Sequence, residues 1–209
     1  MKPSELTLFH NLQPLVLASE SPRRLQLLKS LGLSFEAVAS GVDEGDDPDT
    51  EPGALVRWRA REKAEAVSRR HPRSWVLSAD TIVVYRHTVL GKPADAEAAA
   101  AMLQKLSGRE HRVFSGLCLR RREPAFLRLE SFATEVRFKP LRAAEITAYV
   151  QTGEPFDKAG AYGIQGMGAF LVEAIHGSYT NVVGLPLCEA LEWLLEQGIV
   201  APVQGSAEG

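Results

Sequence analysis

Two cysteines in 209 residues are too few for a disulfide framework, and Cys118 and Cys188 each sit in an apolar stretch far from any metal-ligand spacing. Both are expected to be buried, reduced thiols. No apolar run comes near the ~20 residues that a membrane span requires, and the N-terminus lacks the basic start and apolar centre of a secretory signal. A cytoplasmic protein with no membrane partner is expected. Charge of one sign is missing too: 24 basic against 26 acidic residues leave a formal net charge of −2, without the broad basic footprint of a nucleic-acid binder. The one dense basic run, Arg120-Arg121-Arg122, meets Glu123-Pro124 at once and reads as a solvated turn. There is no internal repeat and no Gly/Ser-rich or Pro-rich linker. No Gly-x-x-x-x-Gly-Lys-Ser/Thr loop follows any strand, which argues against a P-loop kinase or NTPase.

What is present fills a core. With 45% hydrophobic and 24% charged residues, the chain can build one well-filled domain or two lobes sharing a sheet. Helical spacing of apolar residues fits 22–31, 54–70, 95–106, 143–151 and 186–197, and strand patterns fit 15–18, 34–38, 75–85, 111–119, 125–138 and 169–175. The class is mixed α/β. Two long strands joined at Arg121 to Pro124 predict an antiparallel hairpin, and hence a mixed sheet. A single domain is expected, with its core at about 14–198, and the first dozen residues and Ala201 to Gly209 loosely tethered.

The most informative stretch is Leu15-Val16-Leu17-Ala18 followed by Ser19-Glu20-Ser21-Pro22-Arg23-Arg24. It reads as a buried strand turning into a helix, with Ser21 as N-cap and Pro22 at the first helical position. The first-turn N–H groups need an acceptor, and an anion placed there gains them, the positive helix end and two guanidinium forks. Arg24 aligns with Leu28 and Leu31, so it leans toward the packed side. A capped surface helix with two solvated arginines fits the same six residues.

Asp80 is the second signal. It lies within Trp75-Val76-Leu77-Ser78-Ala79-Asp80-Thr81-Ile82-Val83-Val84-Tyr85, whose apolar residues on both faces imply a central strand. A carboxylate there needs a cation, donors or a water-filled site, because an unpaired buried polar group costs roughly 2–7 kcal/mol. A metal ligand or general base satisfies that need, as does a structural aspartate bonded to a loop. The acidic run from Asp43 to Glu51 lacks EF-hand spacing and is expected to be a solvated loop, except that Asp43 or Glu44 can join Asp80 around Mg²⁺. Lys63 shares a helix face with Val56, Ala60 and Val67, which aims its ammonium inward unless the side chain snorkels. Lys92, on the turn Leu90-Gly91-Lys92-Pro93, is either solvated or within reach of the Asp80 strand end.

A third signal is the glycine-rich stretch Gly153 to Gly168. Its glycines permit close backbone approach to a ligand, and Gln165 carries an amide that both donates and accepts. Phe156, Tyr162 and Ile164 suggest that the stretch is packed, Asp157 and Lys158 can pair with each other, and His176 to Asn181 reads as a polar turn. His176 is given no role.

Taken together, these motifs resemble the Maf nucleotide pyrophosphatases. The matching residues are Leu17-Ala18-Ser19-x-Ser21-Pro22-Arg23-Arg24, Val42-Asp43-Glu44, Arg61-Glu62-Lys63-Ala64, Ala79-Asp80-Thr81, Gly91-Lys92-Pro93, Leu106-Ser107-Gly108-x-x-His111, Asp157 to Gly166 and Val183-Gly184-Leu185-Pro186. The resemblance implies an elongated α/β fold related to the inosine-triphosphate pyrophosphatases, with two lobes around a cleft, a homodimer, and hydrolysis of nucleoside triphosphates with a divalent cation, Mg²⁺ or Mn²⁺. It further implies Asp80 as proton acceptor, Ser19, Arg23, Lys63 and Lys92 as triphosphate contacts, and Glu44 beside Asp80 at the metal. Arg24, Thr81 and Gln165 resemble the combination in the branch acting on dTTP and UTP. Glu20, an acid beside the phosphate cradle, opposes binding unless it points away. A nucleotide-binding regulatory module linked to cell-division control is the alternative.

Overall fold

Residues 7–42 and 50–203 are described by the computed structural model. In chain order the elements are β1 (Phe9–Asn11), β2 (Leu15–Leu17), α1 (Pro22–Lys29), β3 (Glu36–Ala37), α2 (Pro52–Arg70), β4 (Trp75–Tyr85), β5 (Thr88–Leu90), α3 (Ala96–Leu106), β6 (Glu110–Arg121), β7 (Phe126–Phe138), α4 (Ala143–Gln151), β8 (Val172–His176), α5 (Tyr179–Val183), α6 (Leu187–Glu196) and β9 (Val200–Pro202). Short 3-10 turns at Glu154–Asp157, Ala159–Ala161 and Gly166–Leu171 fill the stretch between α4 and β8. No helix among the described residues is long and apolar enough to cross a membrane.

The main sheet runs β3-β2-β4-β6-β7-β8, with β5 added to the far end of β4. β2 is parallel to β3 and β4, whereas β4, β6, β7 and β8 pair antiparallel, so the sheet is mixed and the β6–β7 hairpin forms as its two long strands predict. Strand length creates an opening. β2 ends at Leu17 opposite Leu77, and β5 joins only at Val83, so no strand of the described residues pairs that edge of β4 between them. A short strand beside a long one leaves a gap, and this gap becomes the cleft.

α2 covers one face of the sheet, packing Ala60, Ala64 and Val67 on Val16, Val76 and Cys118. It comes so close that a Cβ on Gly116 would lie 2.1 Å from the Val56 carbonyl oxygen. The opposite face carries two separate apolar clusters, which are the lobes. One gathers Leu17, Leu28, Leu77, Leu117 and Trp193 beneath α1 and α6; the other gathers Val83, Leu103, Val113, Phe138 and Tyr149 beneath α3 and α4. Between Leu77 and Val83 on β4, the side chain facing this way at the boundary is Thr81, hydrogen-bonded at 2.8 Å to Ser115 directly across on β6. A row of hydroxyls therefore separates the two cores.

Several expectations need correction. Residues 9–11 and 200–202 are less free than composition suggests, because β1 pairs with β9 through Phe9–Pro202, His10–Ala201 and Asn11–Val200. Helix α2 begins at Pro52 rather than Ala54, since Glu51, the last residue of the acidic run, caps it through Gly53 N and Ala54 N at 2.9 and 2.8 Å. The 34–38 strand shrinks to Glu36–Ala37, and the first half of the 169–175 strand is a 3-10 turn. The expected polar turn at His176 to Asn181 contains the start of α5, nucleated by Ser178 Oγ accepting from Asn181 N at 3.2 Å. Cys188 is exposed on α6, outside the stripe formed by Ala190 and Leu194, while Cys118 is buried as expected.

Candidate active site

Asp80 stands at the opening in β4 and is only 3% exposed. Alternation along the strand points it toward α2, on the side of Ser78, which donates to the Ala60 carbonyl at 2.6 Å. There it meets Lys63, whose Nζ lies 2.5 Å from Asp80 Oδ1, and Arg59, whose Nη1 lies 3.7 Å from Oδ2. Arg59 and Lys63 are four residues apart on one helix face, so both cations reach the same carboxylate. The snorkelling alternative for Lys63 is thereby overturned: its ammonium is buried on an acid instead of reaching for water.

Arg24 organises the other side of the opening. Its Nε donates to the Gly184 carbonyl at 2.7 Å, Nη1 to Ser19 Oγ at 3.3 Å and Nη2 to Thr81 Oγ1 at 3.2 Å. One planar fork thus ties together the β2–α1 turn, β4 and the end of α5. The reading of two solvated arginines fails for Arg24. Ser21 occupies the N-cap position of α1, yet its side chain makes no capping bond; its backbone N–H donates to Ser19 Oγ at 3.2 Å. Glu20 is exposed.

The resulting cleft encloses about 600 Å³, within the range of small-molecule sites. Ser19, Arg23, Arg24, Lys63, Asp80, Thr81, Lys92 and Gln165 all line it, so eight residues singled out in the sequence from five separate stretches converge on one cavity. Arg23 reaches across the mouth to Asp157 at 2.8 Å, and Asp157 also receives Lys158 Nζ at 2.6 Å. The expected Asp157–Lys158 pair is therefore a three-residue bridge. Lys92 is exposed on its turn at the rim. Tyr162 is buried as expected, but Phe156 faces solvent.

The donors fit a divalent cation. Asp80 Oδ2 is buried and accepts no hydrogen bond, while Oδ1 is held by Lys63. Magnesium needs only one or two protein carboxylates beside phosphate oxygens and water. Glu44 and Asp43 lie outside the described residues, among which no three metal-ligating side chains cluster.

Sequence patterns alone do not single out Arg59 and Ser115 as parts of this arrangement, and for Asp157 they suggest Lys158 but not Arg23 as a partner. Arg59 carries a detectable signal, since it sits one turn before Lys63 on the inward face; Ser115 carries none, because its role depends on the β4–β6 register.

A buried acid on the floor of a cation-rimmed cleft, at the end of a parallel strand pair, is the layout of an enzyme for anionic substrates. Residues 14–197 match the Maf-like proteins, and the chain belongs to that family. It is 50% identical over 184 residues to a dTTP/UTP pyrophosphatase of Geobacter sulfurreducens, covering 88% of this chain and 96% of the relative. Identity is 47% over 189 residues with one from Desulfotalea psychrophila (90% and 97% covered) and 48% over 187 residues with one from Halalkalibacterium halodurans (90% and 97%). Among solved structures, the Staphylococcus aureus Ham1 protein gives a TM-score of 0.43 at 13% identity, over 77% of this chain and 80% of that one.

Proposed function

We propose that this chain hydrolyses dTTP and UTP to the nucleoside monophosphate and pyrophosphate. The observation that carries the reading is the Asp80 carboxylate, buried on the cleft floor with one oxygen free of hydrogen bonds and four cationic side chains, Arg23, Arg24, Lys63 and Lys92, lining the same cavity. The relatives' shared name supports the substrate class.

In this reaction water attacks the α-phosphorus, the bond from that phosphorus to the α–β bridging oxygen breaks, and pyrophosphate departs. Asp80 takes the water's proton and returns it to solvent. Lys63 fixes the carboxylate rotamer through its 2.5 Å contact, and Arg23 and Lys92 at the rim meet charge that grows on the departing oxygens. Asp80, with Glu44 as the family resemblance implies, would hold a Mg²⁺ or Mn²⁺ ion, which would supply charge neutralisation and a more acidic water. Arg24, anchored on Gly184 and Thr81, keeps the β2–α1 turn at the right height for the phosphates. Gln165 presents its amide to the base, where a carbonyl accepts from N3–H and the amine donates to O4 of uracil or thymine.

The test is product analysis with dTTP, UTP, CTP, ATP, GTP and 7-methyl-GTP, resolving pyrophosphate from orthophosphate. Pyrophosphate chiefly from dTTP and UTP is the expected result. Tight binding without turnover would instead favour the regulatory-module alternative.

A further inference from the structure

Gln165 can discriminate between bases only if the backbone that carries it sets its amide at a fixed distance and angle from the base. The structure shows what holds that backbone. The segment from Gly163 to Gly168 wraps around one carboxylate, that of Glu154. Oε1 accepts from Gly168 N at 3.0 Å and from Tyr149 Oη at 2.9 Å, and Oε2 accepts from Met167 N at 3.0 Å. Tyr149, buried on α4, passes the link on by accepting from Gly163 N at 3.2 Å. The backbone on both sides of Gln165 is therefore tied to Glu154, directly after it and through Tyr149 before it.

The wrapping is close enough to require glycine. A Cβ on Gly166, whose φ is +68°, would lie 2.9 Å from Glu154 Oε2, and one on Gly168 would lie 2.5 Å from Tyr149 Oη and 2.4 Å from the Gly163 carbonyl. These glycines let main-chain N–H groups converge on an anion.

We infer that Glu154, acting with Tyr149, is the positioning residue for base selection, because it fixes the 163–168 segment that brings Gln165 into the cleft. The inference rests on the proposed function, in which Gln165 meets the base. Glu154 itself does not line the cleft.

The experiment compares kcat/KM for dTTP with that for CTP in the full-length wild-type protein and in the Glu154→Ala, Glu154→Gln, Tyr149→Phe and Gln165→Ala variants, with Tm recorded for each. For Glu154→Ala the dTTP/CTP ratio is expected to fall at least tenfold, through a raised KM for dTTP. Glu154→Gln keeps the shape but sets an amide NH2 against one backbone N–H, so it should restore part of the ratio; Tyr149→Phe, which loses the bonds to Gly163 N and Glu154 Oε1 but leaves Glu154 holding Met167 N and Gly168 N, should fall between wild type and Glu154→Ala. Equal losses for both nucleotides, or a lower Tm with an unchanged ratio, would show Glu154 to be structural only and overturn the inference. If Glu154→Ala does not fold, Glu154→Gln and Tyr149→Phe decide by the same ratio. A ratio that collapses in Gln165→Ala but persists in the Glu154 and Tyr149 variants overturns the positioning role alone, whereas a ratio unchanged in Gln165→Ala removes the base-reading premise as well.

Discussion

Lys63 Nζ and Asp80 Oδ1 stand 2.5 Å apart with both side chains almost fully buried, joining the middle of α2 to the middle of β4 at the cleft floor. Such a pair carries two duties. It neutralises a carboxylate that the strand cannot otherwise accommodate, and it holds that carboxylate at a fixed place in the cavity.

Asp80→Asn removes the charge and keeps the shape. The amide fills the same volume, so the sheet should form, but it cannot take a proton and leaves Lys63 and Arg59 without the carboxylate. Turnover of dTTP is expected to fall by about 10²–10⁴ in kcat, the usual range for a lost general base. Steady-state pyrophosphate release measures it. Retention of more than about a tenth of wild-type kcat would remove Asp80 from proton transfer.

Lys63→Ala should cost stability as well as activity. Removing one member of a buried ion pair typically costs about 3–5 kcal/mol, and the Arg59 guanidinium near Oδ2 should hold the loss toward the lower end. Urea denaturation reads the first effect and the KM for dTTP the second. Unchanged values of both would return Lys63 to the snorkelling reading.

Arg24→Lys keeps the charge and loses the fork. A lysine ammonium cannot serve Gly184, Ser19 and Thr81 in the plane that the guanidinium spans. The loss of two such bonds is expected to lower kcat/KM roughly ten- to a hundredfold, at about 1 kcal/mol or more each. A variant within threefold of wild type would show that the turn needs only a positive charge.

His111 gives the fold a pH dependence. Its ring is buried between Phe138 and Tyr162, with Nε2 at 2.8 Å from Tyr162 Oη, and burial pushes its pKa from 6.5 down to about 4. Above pH 6.5 neither the native nor the unfolded chain carries this proton. As pH falls toward 4 only the unfolded chain takes it up, so stability declines by roughly 3 kcal/mol across that window and levels off below it. Denaturation curves at pH 7.5, 6 and 4.5 should show this slope in wild type and a shallower one in His111→Gln; parallel slopes would assign the dependence to other groups.

Gly116→Ala should damage the fold beyond an ordinary core substitution. The added methyl meets Val56 O at 2.1 Å and Val56 C at 2.4 Å, backbone atoms that no rotamer change can move aside. A loss of at least about 3 kcal/mol is expected, at the upper end of overpacking costs. Gly91→Ala, where nothing lies within 4 Å, is the control and should stay within about 0.5 kcal/mol of wild type. Equal midpoints for the two would mean that α2 shifts freely on the sheet.

Much of this molecule is legible in local chemistry. β4 runs over the expected Trp75–Tyr85 because both faces are apolar, and Asp80 stands out because an acid contradicts that pattern. α4 and α3 follow from spacing, the latter with Asp95 accepting from Ala98 N at its start. What stays hidden depends on partners distant in sequence. β1 and β9 are three-residue strands with no alternation to detect, and each exists only because the other lies beside it. The Glu154 knot is invisible for the same reason: its acceptors and donors are ordinary residues until the backbone brings Gly168 back to them.

The hydroxyl row of Thr81 and Ser115 has a further meaning. Of the buried residues in the two cores, only Val83, Val113 and Tyr162 line the cleft, so the rest can change size without altering which atoms face the cavity. The polar line keeps the two apolar interiors apart, so a substitution deep in one of them does not have to be answered by repacking in the other.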